Sequence, residues 1–282
     1  MYNIDNFEVT SGTIRGTGHK VLDKPNQDSF LVCKRKDHIV GVVCDGNSSC
    51  EHSEVGARIG AKLICDNISN VIDRFDANTV FSSDTALRHA LNIVKTEVIA
   101  SIDIMAGMMS LYNDDKKSIL GDYFVFTSLF FVITENNYVI AGIGDGTYII
   151  NNELKPMGDY PDNCPPGIVY MLFPHLDENM HDIAIHEFGN TSDLKNLLIA
   201  SDGIDDITEK YLQNIPGQNK HVGEIGQFLN NDKYFKNPDA VRRTLTLMNR
   251  DIQKIDWNNS TIDRSTGLLH DDTTLIAIRR KL

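Results

Sequence analysis

The chain has 282 residues, 41% of them apolar and 23% charged, and carries a formal net charge of -12. That length supplies a substantial core, and the acidic surplus argues against a nucleic-acid backbone as partner, which calls for a basic stripe. A phosphorylated substrate stays admissible, because a bound cation supplies positive charge locally. The five cysteines, Cys33, Cys44, Cys50, Cys65 and Cys164, form no CxxC pair. Scattered thiols in odd number suit a reduced, cytoplasmic protein. The first residues lack the basic-then-apolar signature of a leader, and no apolar run reaches the ~18 residues that span a bilayer. Neither secretion nor a membrane partner is therefore expected, and oligomeric state is not readable.

Residues 30–33 and 38–44 read as short strands, the second valine-rich (IVGVVC). Residues 53–71 follow as a helix, with Val55, Ile59, Leu63, Ile64 and Ile68 on one apolar face. A second helix over 84–105 carries Leu87, Leu91, Val94, Val98 and Ile102 on its stripe. Residues 106–122 read as a loop, and strands resume over 124–134, 138–143 and 147–150. The segment 159–189, with four prolines, reads as strands joined by long surface loops. Residues 197–200 form a buried strand, 210–257 are mostly helical with a break near Pro238, and 273–279 close as a strand. Strands, helices, strands, helices and a final strand do not alternate regularly, which points to a layered α+β fold. No repeat, low-complexity tract or linker divides the chain, so one domain over residues 1–282 is expected.

The informative pattern is the placing of the acids. Four apolar strands adjoin aspartates: VVCDG at Asp45, AGIGDG at Asp145, LLIASDG at Asp202, and HDDTTLIAI with Asp271 and Asp272. Three of these acids precede glycine, which lets the backbone turn sharply and approach a ligand closely. DG is also a common turn dipeptide, so each site alone says little. Several buried carboxylates meeting in space repel one another unless cations neutralise them, and all-oxygen sites select hard ions such as Mg²⁺ or Mn²⁺.

These segments, taken in order, resemble the metal-dependent type 2C protein phosphatases, the PPM family, in a divergent, mainly bacterial form. The matching stretches are PNQDSF (25–30), VVCDGNSS (42–49), FTSLFFVI (126–133), GIGDGTYII (142–150), ASDGIDD (200–206) and DDTTLIAI (271–278). The resemblance implies a four-layer αββα sandwich, two central antiparallel sheets flanked by helices. It implies hydrolysis of phosphoserine and phosphothreonine in a phosphorylated protein substrate, by a hydroxide shared between two Mg²⁺ or Mn²⁺ ions. By motif, Asp45 bridges the ions, the Gly46 carbonyl binds one, Asp202 and Asp271 bind the other, and Asp28 holds a metal-bound water. Asp145 and Asp206 fall where the family, with Asp202, binds a weaker third ion. On this reading Asp45, Asp202 and Asp271 carry the catalysis.

The sequence departs from the family in three places. Gln27 stands where glutamate is usual, Asn47-Ser48-Ser49 replaces a frequent His-Gly-Gly, and no phosphate-gripping arginine lies just before Asp28. His19 is the nearest substitute for that arginine, ahead of Arg15, as the substrate-binding residue. Gln27 and Asn47 also motivate the alternative of a pseudophosphatase, a binding or regulatory module of the same fold. A zinc hydrolase is disfavoured by scattered histidines without HExxH, and a haloacid-dehalogenase-like site by the absence of DxD after the first strand.

Overall fold

The computed structural model describes residues 4–110, 115–158, 160, 165–173 and 182–281. Strand β1 (Phe7–Ile14) leads through helix α1 (Thr17–Val21) to β2 (Asp28–Lys34) and β3 (His38–Gly46). Helices α2 (Ser53–Phe75), α3 (Ala77–Val80), α4 (Asp84–Met109) and α5 (Asp115–Tyr123) follow. Next come β4 (Phe126–Thr134), β5 (Asn137–Ile143), β6 (Thr147–Ile150), β7 (Glu153–Pro156), β8 (Ala184–Asn190) and β9 (Asn196–Ala200). Short helices α6 (Asp205–Glu209), α7 (Gln227–Asn230), α8 (Asp232–Lys236) and α9 (Ala240–Met248) precede the pair β10 (Ile252–Asp256) and β11 (Thr261–Ser265). Strand β12 (Thr273–Arg280) comes last.

Two five-stranded sheets result, in the orders β1-β12-β9-β6-β7 and β2-β3-β4-β5-β8. Every pairing within them is antiparallel. The sheets pack face to face through Ile39, Val43 and Phe131 on one side and Leu197, Ile199 and Ile276 on the other. The period of two in a strand sends alternate side chains outward to helices. Thus Val40, Val42 and Cys44 of β3 meet α2 and α4, while Leu275 and Ala277 of β12 meet the α7–α9 layer. Central strands buried on both faces read as continuous apolar runs rather than as alternation. This is the expected four-layer α+β sandwich. Gly41 is part of the fit: a Cβ there would lie 2.4 Å from the fully buried Phe131 ring. Burying a ring of that size contributes about 1.5–3 kcal/mol.

Several elements differ from the sequence reading. Residues 106–122 are not a loop throughout: α4 runs on to Met109, and α5 packs Leu120 into the core. A nine-residue helix with one fully buried side chain leaves almost no periodic trace. The stretch 210–257 is less helical than expected, holding three short helices and strand β10, which pairs with β11. That hairpin is almost wholly exposed, so burial imposes no pattern on it; its turn is set by Asp256, whose carboxylate accepts from Asn258 N and Asn259 N, and by Ser260 at φ +52°. Strand β1 escaped notice because Thr10, Ser11, Gly12 and Thr13 dilute its apolar alternation, yet it pairs with β12 along its whole length. In 159–189 the described residues give a 3-10 turn (Ile168–Leu172) and β8, and positions 159, 161–164 and 174–181 lie outside the described residues.

Candidate metal-dependent active site

The two sheets end together at one edge. In one sheet this edge holds the start of β2, the end of β3 and the start of β4, with Asp28 opposite Asp45 and Asp45 opposite Thr127. In the other it holds the end of β9 and the starts of β6 and β12, with Thr147 and Leu275 both opposite Ala200. The sheets are stitched at this edge by Ser201, whose hydroxyl donates to Asp28 Oδ2 at 2.7 Å and accepts from Thr274 N at 3.0 Å. Acids placed at strand ends here are therefore delivered to one place.

A cleft opens at this edge, lined by Asp45, Gly46, Asn47, Ser48, Thr127, Asp145, Asp202 and Asp271 with Val125, Phe126 and Pro165–Gly167. Glycines set the acids. Asp145 sits between Gly144 at φ +101° and Gly146 at φ +129°, a conformation that side chains rarely adopt. A Cβ on Gly46 would lie 2.8 Å from Ser53 Oγ and 2.9 Å from the Gln27 carbonyl, to which Gly46 N donates at 3.1 Å. A Cβ on Gly203 would lie 2.0 Å from the Asp272 carbonyl, so glycine lets the turn after β9 press against the segment entering β12.

The electrostatics are those of crowded anions. The Asp45 carboxyl is held well above the carboxylate range by burial first, then by Asp28, Asp202 and Asp271. Asp28 is pushed up to about 8, by burial and then Asp272, against the opposing hydrogen bond from Ser201. Asp145 is pushed up to about 6 by burial and by Asp202, and Asp202 is raised by burial with Asp271 adding to it. Among the described residues, three buried oxygens at this edge make no hydrogen bond: Asp28 Oδ1, Asp202 Oδ1 and Gln27 Oε1. Unpartnered buried oxygens beside mutually repelling carboxyls are what a hard divalent cation satisfies, so the donor set fits Mg²⁺ or Mn²⁺.

The cleft thus gathers Asp45, Gly46, Asp145, Asp202 and Asp271 of the expected residues, with Asp28 directly behind Asp45. It does not gather His19 or Asp206. His19 is buried, its Nδ1 2.9 Å from Asp272 Oδ2, close enough for an ion pair though not aligned as a hydrogen bond. Its ring packs against Asp272 and is not among the residues lining the cleft. Both oxygens of Asp206 are engaged, by Lys210 Nζ and by His270 N. Asn47 shapes its loop, its Oδ1 accepting from Ser49 N at 2.8 Å and Ser49 Oγ at 2.6 Å. Burial pushes the Cys44 thiol well up, which keeps it protonated and poorly nucleophilic.

Two residues to which the sequence reading assigned no role belong to the site's support. Asp272, buried, accepts from Gly16 N at 2.7 Å and Gln27 N at 2.5 Å, and its own N–H donates to Asp271 Oδ1 at 2.7 Å. It ties three segments to the acid beside it. Lys24 places an exposed ammonium at the rim, donating to the Ser48 carbonyl at 2.6 Å, while no lysine or arginine is among the described residues lining the cleft. A search of the sequence for arginine overlooks it. A second acid–histidine cluster, Asp37–His38–Asp73, is filled by structural bonds: His38 meets Asp37 and Ser69 through its two nitrogens, and Asp73 pairs with Arg35.

A sandwich of two antiparallel sheets with an aspartate cluster at their common edge defines a class, the metal-dependent phosphatases of αββα architecture. The sequence matches the family model described as Protein phosphatase 2C over residues 15–245, and the chain belongs to that family of metal-dependent serine/threonine protein phosphatases. Solved structures resemble it over nearly its whole length. A bacterial serine phosphatase is 15% identical, with a TM-score of 0.51, covering 97% of this chain and 98% of that one. The serine/threonine phosphatase Stp1 from Staphylococcus aureus is 17% identical, with a TM-score of 0.51, covering 97% and 94%. A C. elegans sex determining protein is 12% identical, with a TM-score of 0.57, covering 97% of this chain and 64% of that one. At such identities these likenesses speak for the fold. No curated protein matches the sequence. Among the described residues no helix is long and apolar enough to cross a membrane.

Proposed function

We propose that residues 1–282 act as a single type 2C phosphatase domain that hydrolyses phosphoserine and phosphothreonine in proteins with two Mg²⁺ or Mn²⁺ ions. The observation that carries this reading is the convergence of Asp45, Asp145, Asp202 and Asp271 on one cleft, with buried oxygens of Asp28 and Asp202 left without a partner. Asp45 and the Gly46 carbonyl would hold one ion, and Asp45 with Asp202 and Asp271 would hold the other. When bound, the ions supply Lewis-acid charge to the phosphoryl oxygens and lower the pKa of water toward neutrality.

The chain's own groups do the rest. Asp28, fixed by Ser201 and Asn26, orients water through its unpartnered Oδ1. Gln27 Oε1, buried and unpartnered, adds an acceptor without charge. Asp272 holds Asp271 in place, and Lys24 at the rim meets the outer phosphate oxygens. The cleft lining is carboxylates and small loop residues rather than a deep apolar pocket. That suits a phosphate on an extended peptide better than a drug-like ligand.

The test is release of phosphate from a phosphothreonine peptide by the purified chain, with Mn²⁺ and after chelation. Turnover with Mn²⁺ that vanishes with chelator and in Asp45→Asn supports the reading. Turnover that survives both would refute it.

A further inference from the structure

The acidic cluster holds a cation of its own. Lys210, at the C-terminal cap of α6, lies one helical turn after Asp206 and pairs with its Oδ1. The same ammonium donates to the Leu268 carbonyl at 2.6 Å. Both side chains are largely withdrawn from water, 24% exposed for Lys210 and 14% for Asp206. The other carboxylate oxygen, Asp206 Oδ2, accepts from His270 N. Every oxygen of this carboxylate is thus spoken for by the chain, whereas Asp28 and Asp202 each keep a buried oxygen with no partner. The difference separates acids that await a cation from one that already has it.

We propose that Lys210 is a built-in counter-ion that takes the place of a third divalent ion, so that this chain binds two ions and no more in its acidic cluster. The inference rests on the two-ion reading of the cleft. The third ion implied by the family resemblance needs Asp206 together with Asp145 and Asp202, and the donor set here does not fit it. An incoming ion would have to expel an ammonium tethered on the same helix and anchored by a carbonyl. A tethered group acts at a local concentration in the millimolar range or above, so a weakly held free ion competes poorly with it. Displacing it would also leave a lysine ammonium beside a divalent ion in a partly dry setting, a like-charge contact that low dielectric sharpens. The latch has a second effect. Lys210 to Leu268 and Asp206 to His270 fasten to α6 the stretch that leads directly into Asp271. The lysine therefore supplies both the charge and the bracing that a third ion would give.

The test is calorimetric titration of the full chain with MnCl₂, comparing wild type, Asp206→Asn, Lys210→Met and the double variant, with folding followed by circular dichroism. Wild type and Asp206→Asn are expected to show the same two binding events. Lys210→Met is expected to gain a weaker third event that the double variant lacks. A weak event in wild type that Asp206→Asn removes, or a Lys210→Met titration identical to wild type, overturns the inference while leaving the two-ion reading standing. Wild type that binds no Mn²⁺ removes that reading, and this inference with it. If Lys210→Met does not fold, wild type against Asp206→Asn decides alone.

Discussion

Gly203→Ala puts a single methyl group where the backbone of two elements nearly touches. The new Cβ would sit 2.0 Å from the Asp272 carbonyl and 3.1 Å from Thr273 Oγ1, against 3.4 Å for an ordinary contact. The turn after β9 and the segment entering β12 must then separate by about 1.4 Å. Those two pieces carry Asp202 and Asp271, so the displacement falls on the acids proposed to share an ion. Misplacing a catalytic group by about 1 Å costs on the order of a hundredfold in rate, and overpacking a tight contact costs about 1–3 kcal/mol of stability. Gly203→Ala should therefore lose ~100-fold in kcat/KM and require more Mn²⁺ for half-maximal activity, while a protein of this size drops by only several degrees in Tm. The assay is hydrolysis of an aryl phosphate over a Mn²⁺ series, with Tm from calorimetry. A variant within twofold of wild type, with an unchanged Mn²⁺ midpoint, would show that the spacing between these segments does not govern the site.

Four further outcomes can be measured. Asp45→Asn should abolish Mn²⁺-dependent turnover yet raise the Tm of the chelator-treated protein, because it removes an ionisable carboxyl that is costly to bury among other acids; a lowered Tm would contradict the electrostatic account. In chelator, stability should fall as pH rises from about 4 to about 8, since Asp28 and Asp145 hold protons when folded that the unfolded chain has released; Tm measured over that range checks the sign, and saturating Mn²⁺ should flatten the slope. Gln27→Glu should lower the Mn²⁺ concentration for half-maximal activity several-fold: a unit charge about 5 Å from a divalent ion is worth several kcal/mol at an effective dielectric near 20, of which ~1 kcal/mol survives desolvation. Equal midpoints would mean that Gln27 only shapes its loop. Lys24→Ala should raise KM several-fold with little change in kcat, read from full saturation curves, because an ammonium at the rim favours the bound ground state and the transition state equally.

What the sequence discloses here is local. An apolar run ending in Asp-Gly announces a strand end and its acid together, so Asp45, Asp145 and Asp202 could be named from a few neighbours. The outward and inward faces of β3 and β12 were legible as continuous apolar runs because both faces are buried. Asp272 could not be weighed in the same way, because its partners Gly16 and Gln27 lie 256 and 245 residues away and nothing near it hints at them. In the sequence His19 is the nearest stand-in for an arginine before Asp28; its contact with Asp272, 253 residues away, is visible only in the fold. Asp206 matched its motif, and Lys210 stood four residues on in plain view, yet the pairing becomes decisive only once Leu268 and His270 are brought beside them. The hairpin of β10 and β11 shows the opposite limit, since an exposed element has no burial to write a pattern.

The position of β12 bears on how the protein is made. It follows every other strand in the chain, yet it lies inside its sheet, between β1 and β9. A nascent chain emerging from the ribosome therefore holds β1 and β9 apart, each with an open edge, until residues 273–280 have emerged. During that interval Ile276 and Ile278 are missing from the space between the sheets, and Asp271 and Asp272 from the cleft and its support. The sheet built on β2, β3, β4, β5 and β8 needs no such wait, since all five strands precede β12 in the chain. Half-made molecules should thus present one finished sheet and one gapped one, a template for strand capture by neighbours. Ribosome-bound chains stalled before residue 273 would be the species for a chaperone to shield, and emergence of residues 271–280 the event that closes the sheet and brings Asp271 to the cleft.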